Sequence, residues 1–133
     1  MSSAAPSPRR VATSRHDPAF HYRLPGREWR LLLGPQTGES DRMTMSIAIF
    51  PPGSAPPLHV HPDEEEMVYV LRGRGRLLTE DDESIDLRPG VAFRVPVGLP
   101  HGAVNDGDEP LELLCMFDPP VVPGSYDRVE GGG

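Results

Sequence analysis

Apolar and polar side chains alternate along most of this chain in short runs that end at proline and glycine. From Arg42 to Phe50, Met43, Met45, Ile47 and Ile49 fall on one side of an extended strand, with Thr44, Ser46 and Ala48 on the other, because successive strand side chains point to opposite faces. Runs of the same kind predict strands at Trp29 to Leu33, Leu58 to His61, Glu66 to Leu71, Arg74 to Thr79, Ser84 to Leu87, Val91 to Val95, His101 to Val104 and Leu111 to Phe117. Gly34-Pro35, Pro51-Pro52-Gly53, the acidic tip Glu80-Asp81-Asp82-Glu83 and Pro119-Pro120 supply the breaks between them. No long amphipathic stretch interrupts the series, so the fold class is all-β. About eight or nine short antiparallel strands protect their edges by rolling into a double-sheet jelly roll or barrel.

Composition narrows this picture. With 133 residues, 17 prolines and 14 glycines, the chain suits one core and one domain. Residues 1–18 are rich in Ser, Ala, Pro and Arg and are expected to form a disordered tail; 19–120 form the folded domain and 121–133 a C-terminal tail. The single cysteine, Cys115, lies in the apolar run Leu111 to Phe117 and reads as a small buried hydrophobe. No apolar segment approaches a membrane span or a secretory leader, so a cytoplasmic protein without membrane contact is expected. All 13 basic residues are arginine, as in proteins from GC-rich bacterial genomes, and the net charge is −7. Most of the acids follow residue 30, so the folded body repels phosphate backbones and nucleic acid is not an expected partner. The lack of lysine excludes Schiff-base chemistry through a lysine amine.

The chemistry concentrates in two segments. His59 and His61 flank Val60 and therefore point the same way on an extended strand, with Glu66 a few residues on and His101 in a later segment. Imidazole nitrogens joined by a carboxylate oxygen suit a divalent transition metal. Gly53, His59, His61, Glu66 and Gly73 occur at the spacing of the first signature motif of the cupin family, and Gly90, Pro96, Gly98, His101 and Asn105 at that of the second. The chain thus resembles a small single-domain cupin. Glu64, Glu65 and Glu66 are consecutive, but only Glu66 stands at the motif distance from Gly73; the two neighbours read as a solvated acidic turn, with Glu65 facing away.

The resemblance implies one divalent transition metal ion per chain (Fe, Mn, Ni, Co, Zn or Cu), held by His59, His61, Glu66 and His101. It implies a small-molecule substrate, and cupins commonly pair as homodimers. Among cupins this ligand set serves dioxygenases, whose ligand glutamate also acts as base. The leading expectation is therefore a dioxygenase acting on a small enol- or polyphenol-like molecule, with Glu66 catalytic. A non-redox lyase, isomerase or polyketide cyclase is the alternative, and a non-catalytic binding module the next. Met45, Ile47, Val68, Phe93, Val95, Leu114, Met116 and Phe117 are candidates to line the site, and Tyr69, His21 and Tyr22 to donate or accept protons. Arg72, Arg74 and Arg76 alternate with glycines and read as one exposed face balanced by the acidic tip, ahead of a carboxylate-binding role.

Overall fold

A computed structural model describes residues 11–14, 17–81, 83–121 and 127–128. Its strands are β1 (His21–Leu24), β2 (Arg27–Leu33), β3 (Thr44–Phe50), β4 (His59–Val60), β5 (Glu65–Arg72) and β6 (Gly75–Thr79), followed by β7 (Ser84–Leu87), β8 (Ala92–Val95), β9 (His101–Val104), β10 (Leu111–Asp118) and β11 (Asp127–Arg128). They form a six-stranded sheet in the order β1-β2-β3-β10-β5-β8 and a five-stranded sheet in the order β11-β4-β9-β6-β7. All their pairings are antiparallel. The expected jelly roll is what forms. Among the described residues the helical content is one turn, Pro18–Phe20, capped by the Asp17 carboxylate accepting from the Ala19 N–H at 2.9 Å. No helix among them is long and apolar enough to cross a membrane.

The sequence pattern missed the two strands nearest the ends. β1 pairs with β2, and its Tyr22 ring stacks against Trp29 at a centroid distance of 5.7 Å. β11 pairs with β4, and Val121 is a buried core residue. Ordered structure therefore continues past residue 120, the expected limit of the domain. Most of the expected N-terminal tail lies outside the described residues.

A second correction concerns which face is inside. On β3 the buried residues are Thr44, Ser46, Ala48 and Phe50, and on β10 they are Leu111, Leu113, Cys115 and Phe117. Met45, Ile47, Leu114 and Met116, expected inside, lie on the outer face. Alternation groups residues by face but does not name the face when both sides are apolar or small. The inward hydroxyls are satisfied: Thr44 Oγ1 accepts from the Val121 N–H at 3.1 Å, and Ser46 Oγ donates to the Cys115 carbonyl at 3.3 Å. Paired in this way, a buried hydroxyl avoids most of its desolvation cost.

The motif residues that are not ligands hold the loops. Gly73 has φ +87°, and a Cβ there would lie 2.3 Å from the Pro110 carbonyl oxygen, so only glycine fits where β5 leaves its sheet. Asn105 is fully buried, and its Nδ2 donates to the Phe50 and Glu109 carbonyls at 2.8 Å each. Its Oδ1 accepts from the Gly107 N–H at 3.0 Å, and its backbone exchanges bonds with Gly53 and Ser54 at 2.8 and 2.9 Å. Asn105 thus locks the end of β3 and the turn that follows it to the loop after β9.

Candidate metal centre

The predicted ligands come from both sheets. His59 on β4 stands opposite His101 on β9, and their rings are 4.4 Å apart between centroids. His61 follows directly after β4, 5.1 Å from the His59 ring and 5.4 Å from that of His101. One nitrogen from each of these three imidazoles fits within 4.8 Å of the others, as ligands around one ion do. Glu66 enters from the facing sheet, opposite Phe117 of β10 and Val95 of β8. Its Oε1 lies 3.3 Å from His101 Nε2 and 3.6 Å from His61 Nε2. The Gly98 N–H donates to the His61 carbonyl at 3.0 Å, which ties the turn of the second motif to the ligand strand of the first.

Protonation fits a metal. Burial holds the His59 imidazole down at about 2 and that of His61 at about 4, both against 6.5, with the neighbouring His101 and Arg27 adding to the depression and Glu66 opposing it at His61. Both rings are neutral near pH 7 and present lone pairs. Burial alone would raise Glu66, but the His101 hydrogen bond and the charges of His101 and His61 hold it below the usual carboxylate range. His101 Nδ1 lies 2.8 Å from the Leu99 carbonyl, which can only accept, so Nδ1 carries the hydrogen. In a neutral His101 the other nitrogen then faces the Glu66 carboxylate with a lone pair. Two acceptors at 3.3 Å need a cation to reconcile them, either a proton on the ring or a metal ion. The donor set, three imidazoles and a carboxylate, matches a first-row divalent ion, and the Leu99 bond supplies the outer support that orients a ligating histidine.

The surrounding cavity measures about 630 Å³ including its mouth and is mostly apolar. Of the expected lining, Val68, Phe93 and Phe117 contribute to it; Trp29, Ala48, Phe50, Leu77 and Leu113 replace the outward-facing candidates. Val95 is buried in the core. Tyr69 sits on the outer face, 45 % exposed, and His21 and Tyr22 are not among the described lining residues. Glu65 turns outward as expected and pairs with Arg94 at 2.7 Å. Glu64 corrects the solvated-turn reading: it is buried, and desolvation raises its pKa. Arg72 pairs with Glu112 at 3.2 Å and Arg76 with Asp106 at 2.8 Å, while Arg74 is exposed between β5 and β6. Their acidic partners are therefore not those of the 80–83 tip.

Sequence reasoning also missed two cavity residues that carry a thiol or a charge. Cys115, read as packing alone, lines the cavity; its thiol donates to the Leu113 carbonyl at 3.7 Å and helps to lower the Glu66 carboxyl pKa. Burial, with the Glu66 charge second, pushes the thiol well above its ordinary value. The signal was alternation: Cys115 precedes Phe117 by one strand repeat, and Phe117 stands opposite Glu66. Arg27 is the other, at the start of β2.

The family follows from this geometry and from likeness to known proteins. A family model described as a cupin domain matches residues 46–117, and the chain belongs to the cupin family. It is 38% identical over 91 residues to an uncharacterised protein of Methanocaldococcus jannaschii, an alignment covering 68% of this chain and 72% of that one. It is 33% identical over 105 residues to polyketide synthase CurC of Streptomyces cyaneus, covering 79% and 68%. Among solved structures it resembles the polyketide cyclase RemF of Streptomyces resistomycificus, with a TM-score of 0.69 and 25% identity over 91% of this chain and 84% of that one.

Proposed function

We propose that this chain is a metal-dependent enzyme that removes a proton from a small oxygenated organic molecule and so drives a cyclisation, isomerisation or elimination. His59, His61, His101 and Glu66 hold one divalent transition ion, and Glu66 doubles as the base. The observation that carries this reading is the Glu66 carboxylate, 3.3 Å from His101 and 3.6 Å from His61, at the wall of an apolar cavity. Bound there, the ion supplies Lewis acidity that polarises a carbonyl or enol oxygen. The protein does the rest. Neutral His59 and His61 keep their lone pairs directed inward, the Leu99 carbonyl fixes the His101 tautomer, and the apolar walls exclude water. Glu66 accepts the proton from the carbon next to the polarised group and returns it from the same carboxyl. The polyketide names of CurC and RemF support putting this reading ahead of oxygen chemistry.

Dioxygenase action on an enol- or polyphenol-like molecule is the second reading. Its support is the ligand set itself, because four protein donors leave positions open for substrate and dioxygen on a redox-active ion. One experiment separates the two. The metal-free protein is reloaded with Zn, Fe, Mn, Co or Ni and incubated in deuterated water with a panel of enolisable carbonyl compounds and polyphenols, with and without oxygen. Deuterium incorporation or product formation with zinc under anaerobic conditions, lost in Glu66→Gln, is the expected result. Oxygen uptake with a dead zinc form promotes the dioxygenase instead.

We also propose that the protein is a homodimer joined through the outer face of the six-stranded sheet. Met67, Tyr69 and Leu71 there are 51 %, 45 % and 42 % exposed, beside the outward-facing Ile47, Leu114 and Met116. Such a contiguous apolar face is characteristic of an interaction surface.

A further inference from the structure

Among the described residues that line the cavity, Leu24, Arg27, His59 and Phe93 are half-buried and all the others are buried. The mouth of the cavity therefore lies where these four gather. Leu24 and Arg27 both come from the β1–β2 hairpin, where they face each other as its last pair. This tip overhangs its sheet. Pairing of β2 with β3 begins at Glu28, opposite Ile49, and β1 stands at the end of the strand order, so among the described residues Leu24 to Arg27 share a ladder only with one another. The tip rests on the loop after β3. The Ser54 hydroxyl donates to the Gly26 carbonyl, and Gly26, at φ +71°, packs so closely that a Cβ there would lie 2.9 Å from both Pro56 Cβ and Ser54 Oγ. The loop side of this contact is fixed: the Ser54 carbonyl accepts from the Asn105 N–H at 2.9 Å, and the Ser54 N–H donates to the Pro51 carbonyl at 3.1 Å. The tip is thus the half that can move. The Ser54 hydrogen bond is exposed and of modest net strength, so it can break and re-form while the sheets stay folded.

We propose that the β1–β2 tip is a gate over the cavity, latched by the Ser54–Gly26 hydrogen bond and hinged where β2 joins β3 at Glu28. Shut, it holds Leu24 at the mouth and keeps water out of an apolar interior. Open, it admits an apolar molecule between the hairpin and Phe93. Of the three clustered histidines, His59 is the one that is not fully buried, so the same opening leads to the ligand cluster. The gate stands on the cavity and its mouth, and does not depend on the metal-enzyme reading.

Trp29 reports the gate without any ligand, because it is the single tryptophan of the chain, lines the cavity and is 6 % exposed. Quenching of its fluorescence by acrylamide is measured on metal-free protein, at temperatures where circular dichroism shows each variant fully folded. Ser54→Ala is expected to raise the quenching rate constant about fivefold, the factor that loss of one net hydrogen bond gives. Gly26→Cys combined with Ser54→Cys brings two sulfurs within disulfide reach. When oxidised, this double variant is expected to quench more slowly than wild type, and dithiothreitol is expected to reverse the effect, which a merely structural role for the contact would not produce. Wild-type quenching in Ser54→Ala, or an oxidised double variant as open as its reduced form, overturns the proposal. If the disulfide does not form, Ser54→Ala carries the test alone. Zinc stoichiometry on the same samples keeps the two readings apart. A gate response in protein that binds no zinc refutes the metal site and spares the gate; one zinc bound with no gate response does the reverse.

Discussion

The two faces of the six-stranded sheet draw on similar residues and do different work. On the inner side of β5 and β10, Val68, Val70, Leu111, Leu113 and Phe117 are buried against the other sheet, with Glu66 and Cys115 among them. On the outer side, Met67, Tyr69, Leu71, Leu114 and Met116 are as apolar and remain partly open. Polar groups on the inside are few and held by specific bonds or by the ligand cluster, while charges on the outside pair loosely at the surface, as Arg94 does with Glu65 and Arg72 with Glu112. Hydrophobicity does not distinguish the faces. What distinguishes them is that the inner one closes over Glu66 and the cluster of His59, His61 and His101, a group that could hold a metal ion.

Removing a ligand is the largest expected break. His101→Ala should lower metal affinity by more than about a hundredfold, since loss of a support outside the ligand shell already costs up to that much, while circular dichroism stays that of a folded β-protein. Metal content measured by mass spectrometry checks this, and full occupancy in the variant would remove His101 from the site.

Next in size is the contrast between adjacent residues of β10. Leu113→Ala, on the inner face, should cost about 3 kcal/mol in denaturant unfolding, and Leu114→Ala, on the outer face, less than about 1 kcal/mol in the monomer. The outer face instead governs association. Met67→Asp should turn a dimer into a monomer in analytical ultracentrifugation with metal content unchanged. A dimer that survives would place the interface elsewhere, and equal costs for the two leucines would mean that the faces are wrongly assigned.

A further contrast is the pH response of the metal-free protein. The unfolded chain takes up protons at His59 and His61 near the ordinary imidazole value of 6.5, whereas the folded chain holds these groups at about 2 and about 4. Between those values the unfolded state binds more protons, so stability falls as pH falls from about 6.5 towards 4, with a slope of at most about 2.7 kcal/mol per pH unit for two groups. Glu66, also depressed, adds a loss of the same sign below its unfolded value. Thermal melts across this range check the direction. Stability that rises on acidification would show that the two rings are not buried neutral.

Much of the site was legible in the chain because its information is local. His59 and His61 share a face through strand alternation alone, and the motif glycines and Asn105 stand where a positive φ, a close backbone approach or a buried amide is required. The strands were legible for the same reason, since alternation and turn residues act over a few positions. What decided the rest was which sheet closes over which face. Thr44 and Ser46 lie inside and Met45 and Ile47 outside because β3 is locked between β2 and β10, a choice set by long-range pairing and not by the polarity of those four residues. Glu64 is buried, β11 adds a strand beside β4, and Arg27, which alternation did not single out, lies at the cavity wall. The sequence alone therefore determined most of the strands and picked out the candidate ligand residues, whereas only closure of the two sheets determined the walls of the cavity, since burial depends on the elements packed across from a residue and not on its neighbours in the chain.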